Sequence, residues 1–239
     1  MKAIVLAGGK GTRLMPYTKV IPKPLMPIGD MPILEVLLRQ MKRAGVDEVI
    51  ITVGHMASLL KAFFQDGEQF GLHISYSSED KPLGTAGPIS LICPAPAETF
   101  LVLNGDVLTT LNLVDLLETH RSTKALATIA SHERIEKIDY GVLEVDQNHT
   151  IQNYIEKPVK KYLVSMGIYV FEPKVLSYIP MNQYYDFPEL VCKLIASGEK
   201  TVSYPFQGYW QDLGRPDDYE QAIIDFDKMR SAFLEGVPE

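Results

Sequence analysis

Strand-like and helix-like segments alternate through the first half of the chain, and this alternation constrains the fold more than any other feature. Residues 2–6, 48–53, 73–77 and 100–103 are short runs rich in β-branched residues and bounded by turn formers, which predicts strands. Between them, Ile33, Leu34, Leu37, Leu38, Met41 and Ala44 recur at helical spacing, with Pro32 at the start and Gly45 at the stop. Residues 56–65 and 113–120 read as further helices. Such alternation calls for right-handed crossovers, and so for an α/β fold with a mainly parallel central sheet and helices on both faces.

After Arg121 the pattern changes. Residues 125–131, 140–146, 150–156, 166–171 and 201–204 are strand-like, with helices expected only at 186–196 and 216–234. The second half is therefore expected to be richer in mixed or antiparallel pairing. No linker rich in Gly, Ser or Pro separates the halves, so one domain over 1–239 with two lobes, 1–121 and 122–239, is the expectation. The last helix carries Ala222, Ile223, Phe226, Met229 and Phe233, which pack either internally or against a second copy in a homo-oligomer.

Charge and cysteine content exclude several classes. With 23 basic and 30 acidic side chains the net charge is −7, the opposite of what a general nucleic-acid binder needs. Cys93 and Cys192 are far apart and lack CxxC spacing, which suits a reducing compartment and gives no thiol chemistry. The apolar start, Ala3 to Ala7, stops at Gly8-Gly9-Lys10, too short for a secretory leader. No uncharged apolar stretch approaches the roughly 18 residues of a membrane span. A cytoplasmic protein without a membrane partner is expected.

The segment Gly8-Gly9-Lys10-Gly11-Thr12-Arg13 follows directly on the first strand. Glycines there let the backbone approach a ligand and turn successive N–H groups toward an anion. In an open parallel sheet the ligand crevice lies at the carboxyl ends of the strands, where this loop sits. It fits neither the dinucleotide fingerprint, since Leu14 stands where the third glycine belongs, nor the Walker A loop. A proline-studded connection follows, with Pro16, Pro22, Pro24, Pro27 and Pro32. From Lys10 to Gly29 it holds Lys10, Arg13, Lys19 and Lys23 and no acid, a cationic patch free of counter-charge that suits a polyphosphate rather than a merely solvated loop.

Two carboxylates stand out. Asp106, in Asn104-Gly105-Asp106, ends the strand at 100–103 and so faces the same crevice; beside a triphosphate it needs a hard cation such as Mg²⁺ between. Asp212 is the lone acid in Gly208-Tyr209-Trp210-Gln211-Asp212-Leu213-Gly214. Each can instead be a turn residue. The five histidines show no ligand spacing, and Trp210 reads as a wall of the site or a core residue.

With these residues in hand, a resemblance is apparent. Leu6-Ala7-Gly8-Gly9-x-Gly11-Thr12-Arg13-Leu14-x-Pro16 and Pro22-Lys23-Pro24-Leu25-x-Pro27 resemble the signature of sugar-phosphate nucleotidylyltransferases. It continues through Pro82-Leu83-Gly84-Thr85-Ala86-Gly87, Asn104-Gly105-Asp106, Tyr140-Gly141-Val142, Glu156-Lys157-Pro158 and Trp210-x-Asp212-x-Gly214-x-Pro216, all collinear. The resemblance implies a Rossmann-like fold, with lobe 1–121 binding nucleotide and lobe 122–239 binding sugar phosphate. The implied reaction takes an NTP and a sugar 1-phosphate to an NDP-sugar and pyrophosphate with Mg²⁺. Leu6, Ala7, Gly8, Gly9, Gly11, Thr12, Gly84, Thr85 and Ala86 would surround base and ribose, with Glu79 reading the base edge. Arg13 and Lys23 would hold the triphosphate, and Asp106 and Asp212 the metal. Asn104, Gly141 and Glu156 would meet the sugar, and Lys157 its phosphate. Pro24, where thymidylyltransferases usually carry glutamine, and Glu79, whose carboxylate suits guanine, lean toward mannose-1-phosphate guanylyltransferases and GTP. A uridylyl- or thymidylyltransferase using glucose 1-phosphate, and a non-catalytic sugar-nucleotide-binding regulatory subunit, are the alternatives.

Overall fold

The computed structural model describes residues 1–234. In chain order the elements are β1 (Lys2–Ala7), β2 (Pro27–Ile28), β3 (Met31–Pro32), α1 (Ile33–Arg43), β4 (Glu48–Val53), α2 (Ala57–Phe64), β5 (His73–Ser78), β6 (Phe100–Asn104), β7 (Val107–Thr109), α3 (Leu113–Thr123), β8 (Ala127–Lys137), β9 (Val142–Val145), β10 (Ile151–Ile155), β11 (Val159–Phe171), α4 (Phe187–Ala196), β12 (Thr201–Phe206), β13 (Trp210–Asp212) and α5 (Pro216–Leu234). Seven strands form one sheet in the order β12-β8-β11-β6-β1-β4-β5. The pairs β6–β1, β1–β4, β4–β5 and β12–β8 are parallel, and β11 runs antiparallel to both its neighbours. The α/β fold with a mainly parallel sheet is therefore present, and the mixed pairing falls where the second half of the sequence placed it.

The central strands show why they are central. Ala3, Ile4 and Val5 on β1 and Leu101, Val102 and Leu103 on β6 are fully buried, as expected of strands covered on both faces. One core cluster joins these strands to α1, α2 and α3, and another joins the opposite sheet face to α4. A third gathers Leu14, Ile28, Ile33, Val36, Leu213, Ala222, Phe226 and Phe233. The apolar face of α5 thus finds its partner within the chain, although Met229 and Ile224 stay exposed.

Several elements exceed the expectation from sequence. The strand at 166–171 begins seven residues earlier, at Val159, and that at 125–131 continues to Lys137. The added lengths pair with each other as a two-stranded arm, Val159 opposite Lys137 and Leu163 opposite Glu133. β9 and β10, which fall within the strand-like runs expected at 140–146 and 150–156, pair as a separate hairpin. Neither Glu133–Lys137 nor Val159–Ser165 has a buried residue, so the pattern that marks a strand by its core side is missing from the added lengths. The short pairs β2–β3 and β7–β13 were also not foreseen, being only two or three residues long. The connection after β1 is built of three single 3₁₀ turns, Thr12–Leu14, Tyr17–Lys19 and Lys23–Leu25, pinned by buried Leu14 and Thr18.

Candidate active site

β1 and β6 are parallel neighbours, so their carboxyl ends open on one side. Beyond β1 lies the glycine loop; beyond β6 the chain turns through Gly105-Asp106 into β7, with the Gly105 N–H donating to the Leu6 carbonyl at 3.0 Å. β13 lies antiparallel to β7, Asp212 opposite Val107, and the Leu213 N–H donates to the Asp106 carbonyl at 3.2 Å. This pairing, between residues over a hundred apart, brings the two carboxylates together.

Lys23 lies between them. Its Nζ hydrogen-bonds Asp106 Oδ2 and sits 3.5 Å from Asp212 Oδ1. The residue is only 9% exposed, held by the 3₁₀ turn Lys23–Leu25 with Pro22 and Pro24 on either side. The expected patch free of counter-charge is therefore corrected: the connection itself lacks acids, but the sheet supplies Asp106 and Asp212 from distant sequence, and a buried ammonium takes such partners. Lys10 and Lys19 remain exposed, without an ion pair among the described residues. The exposed Arg13 belongs to the same cluster: a Cβ added at Gly214 would sit 3.5 Å from its guanidinium and 3.2 Å from Asp212 Oδ2.

The other side of the glycine loop is walled by Glu79. Its Oε1 would lie 2.7 Å from a Cβ at Gly8 and 3.2 Å from one at Gly54, and its Oε2 accepts the Leu83 N–H at 3.0 Å. The neighbouring Asp80 is exposed. Gly11 takes φ +61°, where its carbonyl accepts from Thr18 Oγ1 at 2.8 Å, while a Cβ at Gly9 would meet nothing within 4 Å. Leu6 is half-buried, Ala7 is buried and Thr12 is exposed at the loop.

Gly84, Thr85 and Ala86 are tied to the segment before α4. Thr85 donates its N–H and its hydroxyl to Asp186 Oδ1 at 2.8 and 2.9 Å, and its hydroxyl oxygen accepts the Phe187 N–H at 2.9 Å. The Ala86 N–H goes to the Tyr185 carbonyl at 2.9 Å. Sequence reading recognised the start of α4 but not the role of Asp186. Asp followed by Phe-Pro-Glu signals a helix start, and nothing in it points 101 residues back to Thr85.

Three sugar-side residues lie elsewhere. Gly141 sits just before β9, and a Cβ there would collide with the Tyr154 hydroxyl, which donates to Glu156 Oε2 at 3.0 Å. Lys157 follows on the exposed chain between β10 and β11, at φ 47°. These three stand together around the hairpin, and no hydrogen bond or ion pair among the described residues joins them to Lys23, Asp106 or Asp212. Asn104 does border the cleft strands, against Gly167 of β11. Trp210 donates Nε1–H to the Met166 carbonyl at 3.0 Å and packs against the core. Of the histidines, His120 is fully buried, its Nδ1 2.7 Å from Thr128 Oγ1 and its Nε2 3.1 Å from Glu172 Oε1. Burial holds its pKa below the ordinary value against the opposing pull of Glu172.

The nucleotidyl transferase family model matches residues 2–228. A UTP–glucose-1-phosphate uridylyltransferase of Synechocystis sp. is 39% identical over 242 residues, covering 93% of this chain and 62% of that protein. A mannose-1-phosphate guanylyltransferase of Mycobacterium tuberculosis is 35% identical over 230 residues, covering 93% and 64%. The chain thus spans less than two thirds of the length of these relatives. Among solved structures, HddC from Yersinia pseudotuberculosis superposes with a TM-score of 0.73 at 26% identity, over 94% of this chain and 99% of that one, and it has also been solved with GMP-PN. Among the described residues no helix is long and apolar enough to cross a membrane.

Proposed function

The chain belongs to the nucleotidyl transferase family, and from that premise we propose that it couples a nucleoside triphosphate to a sugar 1-phosphate, releasing pyrophosphate and an NDP-sugar. The observation that carries the reading is the buried Lys23 between Asp106 and Asp212, with Arg13 alongside, at the open end of β1 and β6. A phosphate oxygen of the sugar 1-phosphate attacks the α-phosphorus; the bond to the bridging oxygen breaks, and its electrons leave with pyrophosphate. The nucleophile is already an anion, so no serine, cysteine or histidine is required. The obstacle is like charge: two unit charges at 4 Å repel by about 1 kcal/mol in water and about 4 kcal/mol at an effective dielectric of 20. Fixed cations that meet the phosphates therefore do most of the catalysis, together with positioning.

In this reading Lys23 holds the α-phosphate and Arg13 the outer phosphates. Gly8, Gly9, Gly11 and Thr12 lie along the nucleotide, with Leu6, Ala7 and Gly84–Ala86 around base and ribose. The open space around Gly9 supports this, because the protein's own packing does not require glycine there. Asn104, Gly141 and Glu156 face the sugar and Lys157 its phosphate. The donor set suits a hard divalent cation: no group of three or more metal-binding side chains exists among the described residues, but two carboxylates converge. Mg²⁺ commonly takes one or two carboxylates and fills the rest with phosphate and water oxygens. Held by Asp106 and Asp212, it would neutralise phosphate charge.

For the substrates we favour GTP and mannose 1-phosphate, because Glu79 lies against the glycine loop where a carboxylate can accept from guanine N1–H and its 2-amino group. A second reading, UTP with glucose 1-phosphate, is favoured by the 39% identical uridylyltransferase. We place the protein in the cytoplasm, where nucleoside triphosphates are available. Pyrophosphate release from four NTPs, each with mannose or glucose 1-phosphate, separates these readings. Release with GTP and mannose 1-phosphate is expected. Release confined to UTP or dTTP moves the assignment to the second reading, and nucleotide binding without any release supports a regulatory subunit.

A further inference from the structure

We infer that Asp186 is a positioning residue for the nucleotide side of the site, fixing the turn Leu83–Gly87 from outside the cleft; this rests on the reading of that turn as a wall of the base and ribose site. The turn has two sides. On one, Leu83 donates its N–H to Glu79, whose carboxylate lies against Gly8 and Gly54. On the other, residues 185–187 take up polar groups of Leu83, Thr85, Ala86 and Gly87. The Leu83 carbonyl accepts the Tyr185 N–H at 2.9 Å, and the Tyr185 carbonyl accepts from Ala86 and Gly87, both at 2.9 Å. Asp186 Oδ1 takes the two donors of Thr85.

The fit is close at Gly84. Gly84 has φ +79°, and a Cβ there would sit 2.7 Å from both Asp186 Oδ1 and the Tyr185 carbonyl. The Asp186 carboxylate is itself oriented: Oδ2 accepts the Tyr184 hydroxyl at 2.6 Å, and the Asp186 N–H reaches Glu189 Oε2 at 3.4 Å. Asp186 also stands at the start of α4, whose Phe187, Leu190 and Leu194 are buried in the core, so the clamp is anchored to a rigid element. A carboxylate that accepts two hydrogen bonds from one residue fixes that residue's position and its rotation together. Thr85 has no donor left for a ligand, which makes its part in the site structural, while Leu83 of the same turn is hydrogen-bonded to Glu79 beside the glycine loop.

Replacing the carboxylate should loosen the turn without touching the phosphate-binding cations. In Asp186→Ala, KM for the nucleoside triphosphate is expected to rise about tenfold, with kcat and KM for the sugar 1-phosphate held within about threefold, as suits a positioning defect confined to one substrate. Asp186→Asn keeps an oxygen for both Thr85 donors and should restore KM to within about threefold of the parent protein. Thermal unfolding establishes that each variant is folded; if Asp186→Ala is not, Tyr184→Phe, which removes only the orienting hydroxyl, should raise the nucleotide KM by a smaller factor. An unchanged nucleotide KM in folded Asp186→Ala, an equal rise for both substrates, or an asparagine variant as impaired as alanine overturns the assignment. Titration calorimetry with GTP and UTP alone separates this inference from the catalytic reading. Nucleotide binding weakened about tenfold in Asp186→Ala supports the clamp even without turnover, and binding equal to the parent refutes it even if the enzyme turns over.

Discussion

Strand β11 belongs to two different regions of the molecule. At its carboxyl end Ile168, Val170 and Phe171 are fully buried between β6 and β8; at its amino end Leu163, eight residues before Phe171, is 62% exposed. The register breaks between Ser165 and Tyr169, where Gly167 faces Asn104, and beyond it the strand pairs only with the outer half of β8. The exposed arm and its hairpin carry Ile135, Leu143, Val145, Ile151, Tyr154, Val159, Tyr162 and Leu163 in the open. In the core half, position follows from burial. In the arm it follows from backbone pairing, and a two-stranded ribbon is only marginally stable by itself. The phosphate-side residues sit on the first region and Gly141, Glu156 and Lys157 on the second, so the proposed site draws one part from rigid sheet and the other from a lightly held arm.

The sharpest test of this contrast compares two residues of one strand. Phe171→Ala should cost about 3–5 kcal/mol of unfolding free energy, the range for a large core aromatic. Leu163→Ala should stay within about 0.5 kcal/mol, as for an exposed position. Urea denaturation of both variants measures the difference, and comparable losses would mean the arm is buried in solution.

Function should divide in the same way. Lys23→Ala should lower kcat/KM at least about a hundredfold, near 3 kcal/mol, by analogy with loss of one fixed transition-state donor. Near-normal turnover would remove Lys23 from the mechanism. Glu156→Gln on the arm should act on the sugar side alone, raising KM for the sugar 1-phosphate about tenfold and leaving nucleotide KM unchanged.

A smaller effect, tied to pH, belongs to the core half. His120 titrates below its ordinary 6.5 in the folded protein because it is buried. As pH falls through 6.5 the unfolded chain takes up this proton first, so the stability contributed by neutral His120 is complete above 6.5 and is lost as pH drops toward the folded value. The difference in urea midpoint between the parent and His120→Gln should shrink from pH 7.5 to pH 5; a constant difference would contradict the burial. Smallest of all, Lys161→Ala breaks the exposed pair with Glu133 and should change stability by less than about 0.5 kcal/mol.

What could be read from sequence follows the same division only in part. The helices at 33–43 and 216–234 and the strands β1, β4 and β6 bury side chains in the core and show their period, while the exposed β9 and β10 were legible only from their β-branched and aromatic residues. The arm lacks a buried face, so Val159–Ser165 carried no strand signal although it is well paired. In the site, Asp106 could be singled out by its place at a strand end, and Glu79 only through the family resemblance. The meeting of Asp212 with Lys23 depends on β7 pairing with β13, and the bond from Asp186 to Thr85 spans 101 residues. Neither leaves a local trace, because long-range pairing depends on the whole topology rather than on neighbours in the chain.

The ammonium lodged beside two carboxylates has a consequence for how the cleft receives its cargo. In the proposed function it arrives at a place where two carboxylates already offset Lys23 and Arg13, so loading is an exchange of partners and not the filling of a bare positive hollow. The free energy on offer is then the difference between two ionic contacts. Selectivity can rest on shape at the base and sugar, since raw attraction for any polyanion is blunted beforehand.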